Sequence, residues 1–222
     1  MSEPRVAALV CEGQTDVPVL RAVLERMWPG IEVRTLHPEL DATGKTAAGH
    51  PTGWTAIQEW CKQNADLREV VEPLVGDRID VLVIVLDVDI ALEADLVPRI
   101  RNARAYDATA LCRSVRRWLP TPIPASVVIA LPAMAIEAWV IAALFPREKS
   151  PEAIADPAQY LVHKKKLRIS PRDGKPWKYL PAYRDVFAVA VANRLSRVRK
   201  TCAEAERACR KIEQRKSAVE AG

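Results

Sequence analysis

The sequence predicts an α/β protein in which a mostly parallel central sheet is flanked by helices, with a helical, basic C-terminal extension. Three observations predict it. Short Val/Ile/Leu-rich runs alternate with segments whose apolar residues recur at helical spacing, the order of a repeated βα chain. One run, IDVLVIVLDVD at residues 79–89, is almost unbroken in apolar residues, as expected where both faces of a parallel sheet are covered. The last third has no Gly or Pro from Asp185 to Lys216 and turns strongly basic.

The elements follow in order. Val6–Val10 reads as a short buried strand, and Val17–Trp28 as an amphipathic helix stopped by Pro29 and Gly30. Ile31–Leu36 is the second strand. HPELDATGKTAAGHPTG, residues 37–53, is rich in Gly, Pro and Thr and reads as a long loop, a kind that is often functional in a compact domain. Trp54–Leu74 reads as a helix, 79–89 as the central strand, and 92–104 and 107–118 as two more helices. Pro120, Pro122 and Pro124 mark a connector, followed by a strand at Val127–Leu131 and a helix at Ala133–Phe145. Beyond residue 185, Val191, Leu195, Val198, Cys202, Ala205, Cys209 and Ile212 recur at alternating spacings of four and three, a heptad seam on one long helix. Its small residues favour packing against the body, with a homodimer seam as the alternative.

These elements divide into an α/β body at 1–147 and a basic, mainly helical extension at 148–222 packed on it. At 222 residues and 49% hydrophobic content, the chain buries one substantial core. The five cysteines, Cys11, Cys61, Cys112, Cys202 and Cys209, are odd in number and lack paired short spacing. Neither a disulfide framework nor a zinc site is indicated, and a reducing cytoplasm fits best. MSEPRVAALV lacks the basic-then-apolar pattern of a signal peptide. The longest apolar stretch, Val127–Phe145, is interrupted by Pro132 and Glu137, so a strand plus a buried helix is expected there and no membrane span.

Charge is distributed unevenly. Residues 1–162 hold 16 Lys/Arg against 22 Asp/Glu, whereas residues 163–216 hold 17 against 5. A basic end beside an acidic body points to a polyanionic partner facing a site that needs carboxylates. The acidic residues are placed accordingly. Glu12 and Asp16 follow the first strand, Asp87 and Asp89 follow the central strand, and Glu137 sits on the helix after the fourth. Loops at the carboxyl ends of parallel strands share one edge, where ligands usually bind. Five converging carboxylates repel one another unless cations neutralise them, and hard oxygen ligands suit Mg²⁺ or Mn²⁺. Glu137 is the only charge between Ser126 and Arg147. A buried carboxylate needs a partner, either a metal or a Lys/Arg in a structural ion pair.

Glu12-Gly13-Gln14-Thr15-Asp16 after the first strand, Asp87-Val88-Asp89 after a hydrophobic strand, and the later Pro132, Ile136, Glu137 and Trp139 together resemble the toprim domain. The similarity is to small stand-alone toprim proteins and to the toprim nuclease half of OLD-type enzymes, and it covers residues 5–145. The resemblance implies Rossmann-like layering and divalent-metal-dependent phosphodiester cleavage with two Mg²⁺ or Mn²⁺ ions. It makes Glu12 an acid/base or metal ligand, with Asp16, Asp87 and Asp89 as ligands and Glu137 as a further one. It also implies a bacterial defence setting beside an ATPase partner. OLD-like nucleases use a lysine beyond the metal motifs. HKKKLRISPRDGKPWKYLPAYR, residues 163–184, supplies Lys164, Lys165, Lys166, Arg168, Lys175 and Lys178, with Trp177, Tyr179 and Tyr183 interleaved. Basic side chains there contact phosphates and aromatics stack on splayed bases, while Lys178 is the choice for the catalytic lysine.

Rival readings fit less well. A phospho-acceptor receiver is shorter and needs neither Asp89 nor Glu137. A haloacid-dehalogenase phosphatase places its Asp-x-Asp after the first strand. Gly44-Lys45-Thr46 mimics the end of a P-loop, but Glu39 stands where that motif needs its first Gly, which leaves a mobile loop at the carboxylate edge. The expected function is a metal-dependent nuclease. The alternative is a toprim-like module that binds nucleic acid or a partner without cutting.

Overall fold

The computed structural model describes residues 4–64, 66–73, 78–89, 108–119 and 122–221. Four strands, β1 (Val6–Val10), β2 (Glu32–His37), β3 (Val81–Val85) and β4 (Val127–Ala130), form an all-parallel sheet in the order β2-β1-β3-β4. Alternate residues of β1, β3 and β4 enter different cores. Ala7, Leu9, Val81, Val83, Val85, Val128 and Ala130 face one cluster. Val6, Ala8, Val10, Leu82, Ile84 and Ile129 face the other. Both faces are therefore dry, and the apolar runs need no polar alternation.

Helices α2 (Trp54–Gln63), α3 (Leu67–Val71) and α4 (Ala108–Trp118) cover the second face. The single helix expected over Trp54–Leu74 breaks because the Asn64 side chain donates to the Trp60 carbonyl and Asp66 caps the new start by accepting from the Arg68 amide at 2.8 Å. The helix expected at 92–104 lies outside the described residues. On the first face, α1 (Asp16–Met27) and α5 (Glu137–Leu144) pack with α6 (Pro157–His163), α7 (Ala188–Asn193), α8 (Leu195–Thr201) and α9 (Ala203–Ala221). Among the described residues, no helix is long and apolar enough to cross a membrane.

The unbroken helix expected beyond residue 185 is instead a succession. One α turn (Leu180–Ala182) leads through a π segment (Tyr183–Phe187) into α7, and the chain breaks at Arg194 and again at Cys202. Each break has a chemical anchor. At Arg194 the guanidinium turns back to donate to the Ala143 carbonyl at 2.7 Å, and Arg197 donates to the carbonyls of Ala142 (2.9 Å), Pro146 and Glu148 (3.2 Å). The Ala142 and Ala143 carbonyls are orphan acceptors in the last turn of α5, a helix that is apolar on every side and has no basic residue in its own last turn, and those of Pro146 and Glu148 lie in the chain just after it. At Cys202 the Glu152 carboxylate accepts from the Ala203 and Glu204 amides and caps α9 from outside. All seven seam residues are nevertheless buried within this chain, so a homodimer would have to use another surface.

Residues 163–184 contain an antiparallel hairpin, β5 (Arg168–Ile169) and β6 (Pro176–Trp177). Helix α6 leads into it through a Schellman end. Lys166 N–H donates to Leu161 and Lys165 N–H to Val162, with Lys165 at φ 56°, where glycine is the usual residue.

Two outcomes check this account. Arg197→Ala should lower stability by about 2 kcal/mol, because it leaves helix-end carbonyls without donors; a urea midpoint within error of the native value would contradict the anchoring role. Lys165→Gly should raise the melting temperature by about 2 °C, since a left-handed backbone costs a side-chain-bearing residue roughly 1 kcal/mol.

Candidate active site

The three loops that leave β1, β3 and β4 lie at the carboxyl edge of adjacent strands. The first loop is short and tightly closed. Gly13 N–H donates to Asp16 Oδ2 at 3.0 Å, and Asp16 opens α1 with its side chain buried beneath the turn. Glu12 Oε1 accepts from the Asp87 amide at 2.8 Å, which joins the first motif to the second. Val88 N–H donates to the Pro132 carbonyl at 3.0 Å and joins the second to the third. The strand expected over 79–89 ends at Val85, and the residues beyond it supply these connections. The loop expected to be mobile, residues 37–53, is tied to the same edge. The Thr46 amide donates to Gln14 Oε1 at 2.7 Å and the Gly53 amide to the Glu12 carbonyl at 2.9 Å.

Glu137 is the deepest member. It is fully buried at the first position of α5, where the helix dipole favours a carboxylate. The helix expected from Ala133 begins only here, because Met134 takes φ 64° and turns the chain before the helix can propagate. A buried non-glycine residue in this conformation is costly and recurs at functional sites. Glu137 Oε1 pairs with Lys178 Nζ at 2.8 Å and accepts from the Tyr183 hydroxyl. Glu137 Oε2 is buried and has no hydrogen-bond partner. A carboxylate oxygen so placed lacks a cation or a donor.

The electrostatics follow from this crowding. Burial, opposed by the Asp87 amide and reinforced by Asp16 and Asp89, pushes the Glu12 carboxyl up to about 8. Burial, opposed by Lys178 and reinforced by Glu137, pushes Asp16 up to about 7. Burial together with Asp16, Glu12 and Glu137 raises Asp87 well above the usual carboxylate range. Burial disfavours the Lys178 ammonium, but Glu137, Asp87 and Asp16 outweigh it and hold its pKa above the ordinary lysine value. Burial also raises the Cys11 thiol, with Asp16, Asp87 and Glu12 adding to it, so this neighbouring cysteine is no nucleophile.

The fold thus brings Glu12, Asp16, Asp87 and Glu137 together around Lys178. Asp89 is exposed, and its charge acts on Glu12. A cleft of about 560 Å³ opens beside them, lined among others by Asp89, Ala135, Glu137, Asp173, Lys175 and Lys178. Trp177 is exposed beside it and Tyr179 half-buried, with their ring centroids 5.4 Å apart. Lys164, Lys165, Lys166 and Arg168 are exposed, and Lys164 Nζ stands 5.3 Å from the Tyr160 ring centroid.

Tyr183, grouped above with the base-stacking aromatics, is fully buried and cannot stack on a base. It holds Glu137 instead. Its spacing of four from Phe187, and of four more to Val191, is the signal that marks a core-facing side chain.

The donor set is all oxygen, the kind that suits Mg²⁺ or Mn²⁺, and Glu137 Oε2 stands unpartnered. As the side chains stand, no group of three or more His, Cys, Asp or Glu among the described residues is disposed to hold a metal. Lys178 is the cationic partner of Glu137.

The raised pKa values fix a stability trend. In the folded state Asp16 and Glu12 retain protons up to about pH 7 and 8, which the unfolded chain releases near 3.8 and 4.5. Unfolding therefore releases protons, and stability falls as pH rises through those values. His37, lowered by burial and by His50, acts in the opposite sense only below its ordinary 6.5. Between pH 6.5 and 8.5 in EDTA the melting temperature should fall by roughly 4 °C. The double substitution Glu12→Gln with Asp16→Asn should flatten that slope; an equal slope in native and substituted chains would show that the cluster is not its source.

No protein-family model, curated protein or solved structure matches the chain.

Proposed function

We propose that the chain is a divalent-metal-dependent nuclease, cleaving phosphodiesters of DNA or RNA at a toprim-type carboxylate site. One observation carries the reading: carboxylates from three separate loops meet around a single lysine at the carboxyl edge of a parallel sheet, with a buried carboxylate oxygen left unpartnered. Glu12, Asp16, Asp87, Asp89 and Glu137 would hold Mg²⁺ or Mn²⁺, two ions in the expected arrangement. Bound there, such ions supply an activated water and stabilise the leaving oxygen of an in-line displacement.

The chain's own residues do the rest. Glu12, tied to the second motif through the Asp87 amide, acts as a metal ligand or exchanges protons at the reacting centre. Lys178, whose ammonium lines the cleft, neutralises charge on the phosphoryl oxygens. Tyr183 keeps Glu137 oriented from the buried side. The exposed basic side chains at Lys164, Lys165, Lys166, Arg168 and Lys175 hold the polyanion by its phosphates. A bacterial defence role beside an ATPase partner belongs to the same reading, through the toprim resemblance.

A second reading is favoured by a specific observation. Lys178 already pairs with Glu137, and no metal-holding group stands ready among the described residues. In that case the site is structural, and the chain is a nucleic-acid or partner-binding module that does not cut.

Cleavage of supercoiled DNA, single-stranded DNA and RNA, measured with Mg²⁺ or Mn²⁺, separates the two. The nuclease reading expects metal-dependent cutting that Glu12→Gln and Asp87→Asn each slow by roughly a hundredfold or more, with native-like circular dichroism. Binding of nucleic acid without cutting, unchanged by EDTA, would establish the module instead.

A further inference from the structure

We infer that the β5–β6 hairpin presents Trp177 as a stacking platform for an unpaired base, so that the polymer entering the cleft is single-stranded or locally unwound. This rests on the reading of the cleft as a nucleic-acid site. The hairpin is two-sided. Pro176 lines the cleft, so Trp177, the next residue of the two-residue strand β6, projects to the opposite side, and Lys178, just past the strand where the chain turns, lines the cleft again. Lys175 reaches the cleft from the turn beside it. Directly across from Trp177 stands Arg168, and cross-strand partners share one face. The outer face therefore carries a basic and an aromatic side chain next to each other, while the lysine that contacts Glu137 lines the cleft just beyond the strand.

The indole is held ready. Trp177 is 48% exposed and Ile169 43%, two of only four large apolar side chains left exposed among the described residues. The Tyr179 ring is tilted 49° against the indole and backs it from the body side. The Tyr179 amide donates to the Trp177 carbonyl at 3.0 Å, and the hairpin turn is closed by the Ser170 amide on Lys175 and the Gly174 amide on Ser170, with Gly174 at φ 69°. A platform fixed in this way loses little freedom when a base lands on it.

The charge around it selects a polyanion. Between residues 164 and 178 seven Lys/Arg face one acid, Asp173. The exposed aromatic surface then selects strandedness. In a duplex the faces of the bases are covered by their neighbours, and an indole can reach one only after the base is unstacked; in a single strand they are open. A strand that places a phosphate beside Lys178 and an adjoining base on Trp177 crosses the hairpin, and such a step splays neighbouring bases apart.

The test is equilibrium binding by fluorescence anisotropy in EDTA, where no metal-dependent cutting occurs. The probes are labelled dT20, rU20 and a 20-base-pair DNA duplex, each with the native chain, Trp177→Ala and Trp177→Phe. The expected result is that a single strand binds more tightly than the duplex. Trp177→Ala should weaken single-strand binding about tenfold while moving duplex binding less than about twofold, and Trp177→Phe should retain most of the affinity. Equal affinity for single strand and duplex, equal losses on both in Trp177→Ala, or no binding of any probe would overturn the inference. The two ideas fail separately. Cleavage without strand preference would leave the nuclease standing and remove the platform, whereas Trp177-dependent single-strand binding without cleavage under Mg²⁺ or Mn²⁺ would do the reverse.

Discussion

A carboxylate shut away from water inside an apolar helix must be given partners by the rest of the fold, and Glu137 imposes that demand here. Its Oε1 is served by Lys178 and Tyr183, both more than forty residues away in sequence. Removing one partner of a buried charge is far costlier than the pair is worth, so the packing that delivers both is constrained as a unit. Tyr183 arrives at the start of a π segment, a form of helix that is uncommon and found often at functional sites. The same demand explains why the C-terminal helices are part of the core and not a separate appendage. Phe187, Val191, Val198 and Ile212 share one apolar cluster with Leu9, Val83 and Trp139.

That cluster is fastened by polar groups acting at helix ends. Arg194 and Arg197 occupy the carbonyls where α5 stops, and Glu152 occupies the amides where α9 starts. Each of these contacts satisfies backbone groups that burial would otherwise leave bare. The helix that begins with Glu137 is therefore held at its amino end by the carboxylate's partners and at its carboxyl end by two guanidinium groups. Its position relative to β1 and β3 sets how close Glu137 stands to Asp16 and Asp87.

Much of the sheet was legible in the sequence because its signals are local. Apolar runs bounded by Gly and Pro marked β1, β2, β3 and β4 to within a few residues, and helical spacing marked α1 and α4. The carboxylates were legible for a different reason: an acid at the end of an apolar run, or alone in one as Glu137 is, demands a partner that the rest of the chain must supply. What was not legible depends on distant partners. The breaks at Arg194 and Cys202 leave the heptad spacing intact, so nothing in the periodicity reveals them, and the groups that stabilise them lie about fifty residues upstream. The split between α2 and α3 turned on the capping choices of Asn64 and Asp66, which compete with helix continuation on nearly equal terms. Tyr183 was assigned by its neighbours in sequence, Trp177 and Tyr179, when its spacing to Phe187 was the better guide.

The chain order of these groups has a consequence for synthesis. Glu12, Asp16, Asp87 and Glu137 emerge from the ribosome before Lys178 and Tyr183, which follow more than forty residues behind Glu137. Until then Glu137 has neither of its donors and α5 has no cap at its carboxyl end, so the carboxylates cannot adopt their final arrangement. A nascent chain with an intact N-terminal sheet still lacks the assembled site. Assembly of the carboxylate cluster thus waits on the C-terminal helices that bring Lys178 and Tyr183 to Glu137.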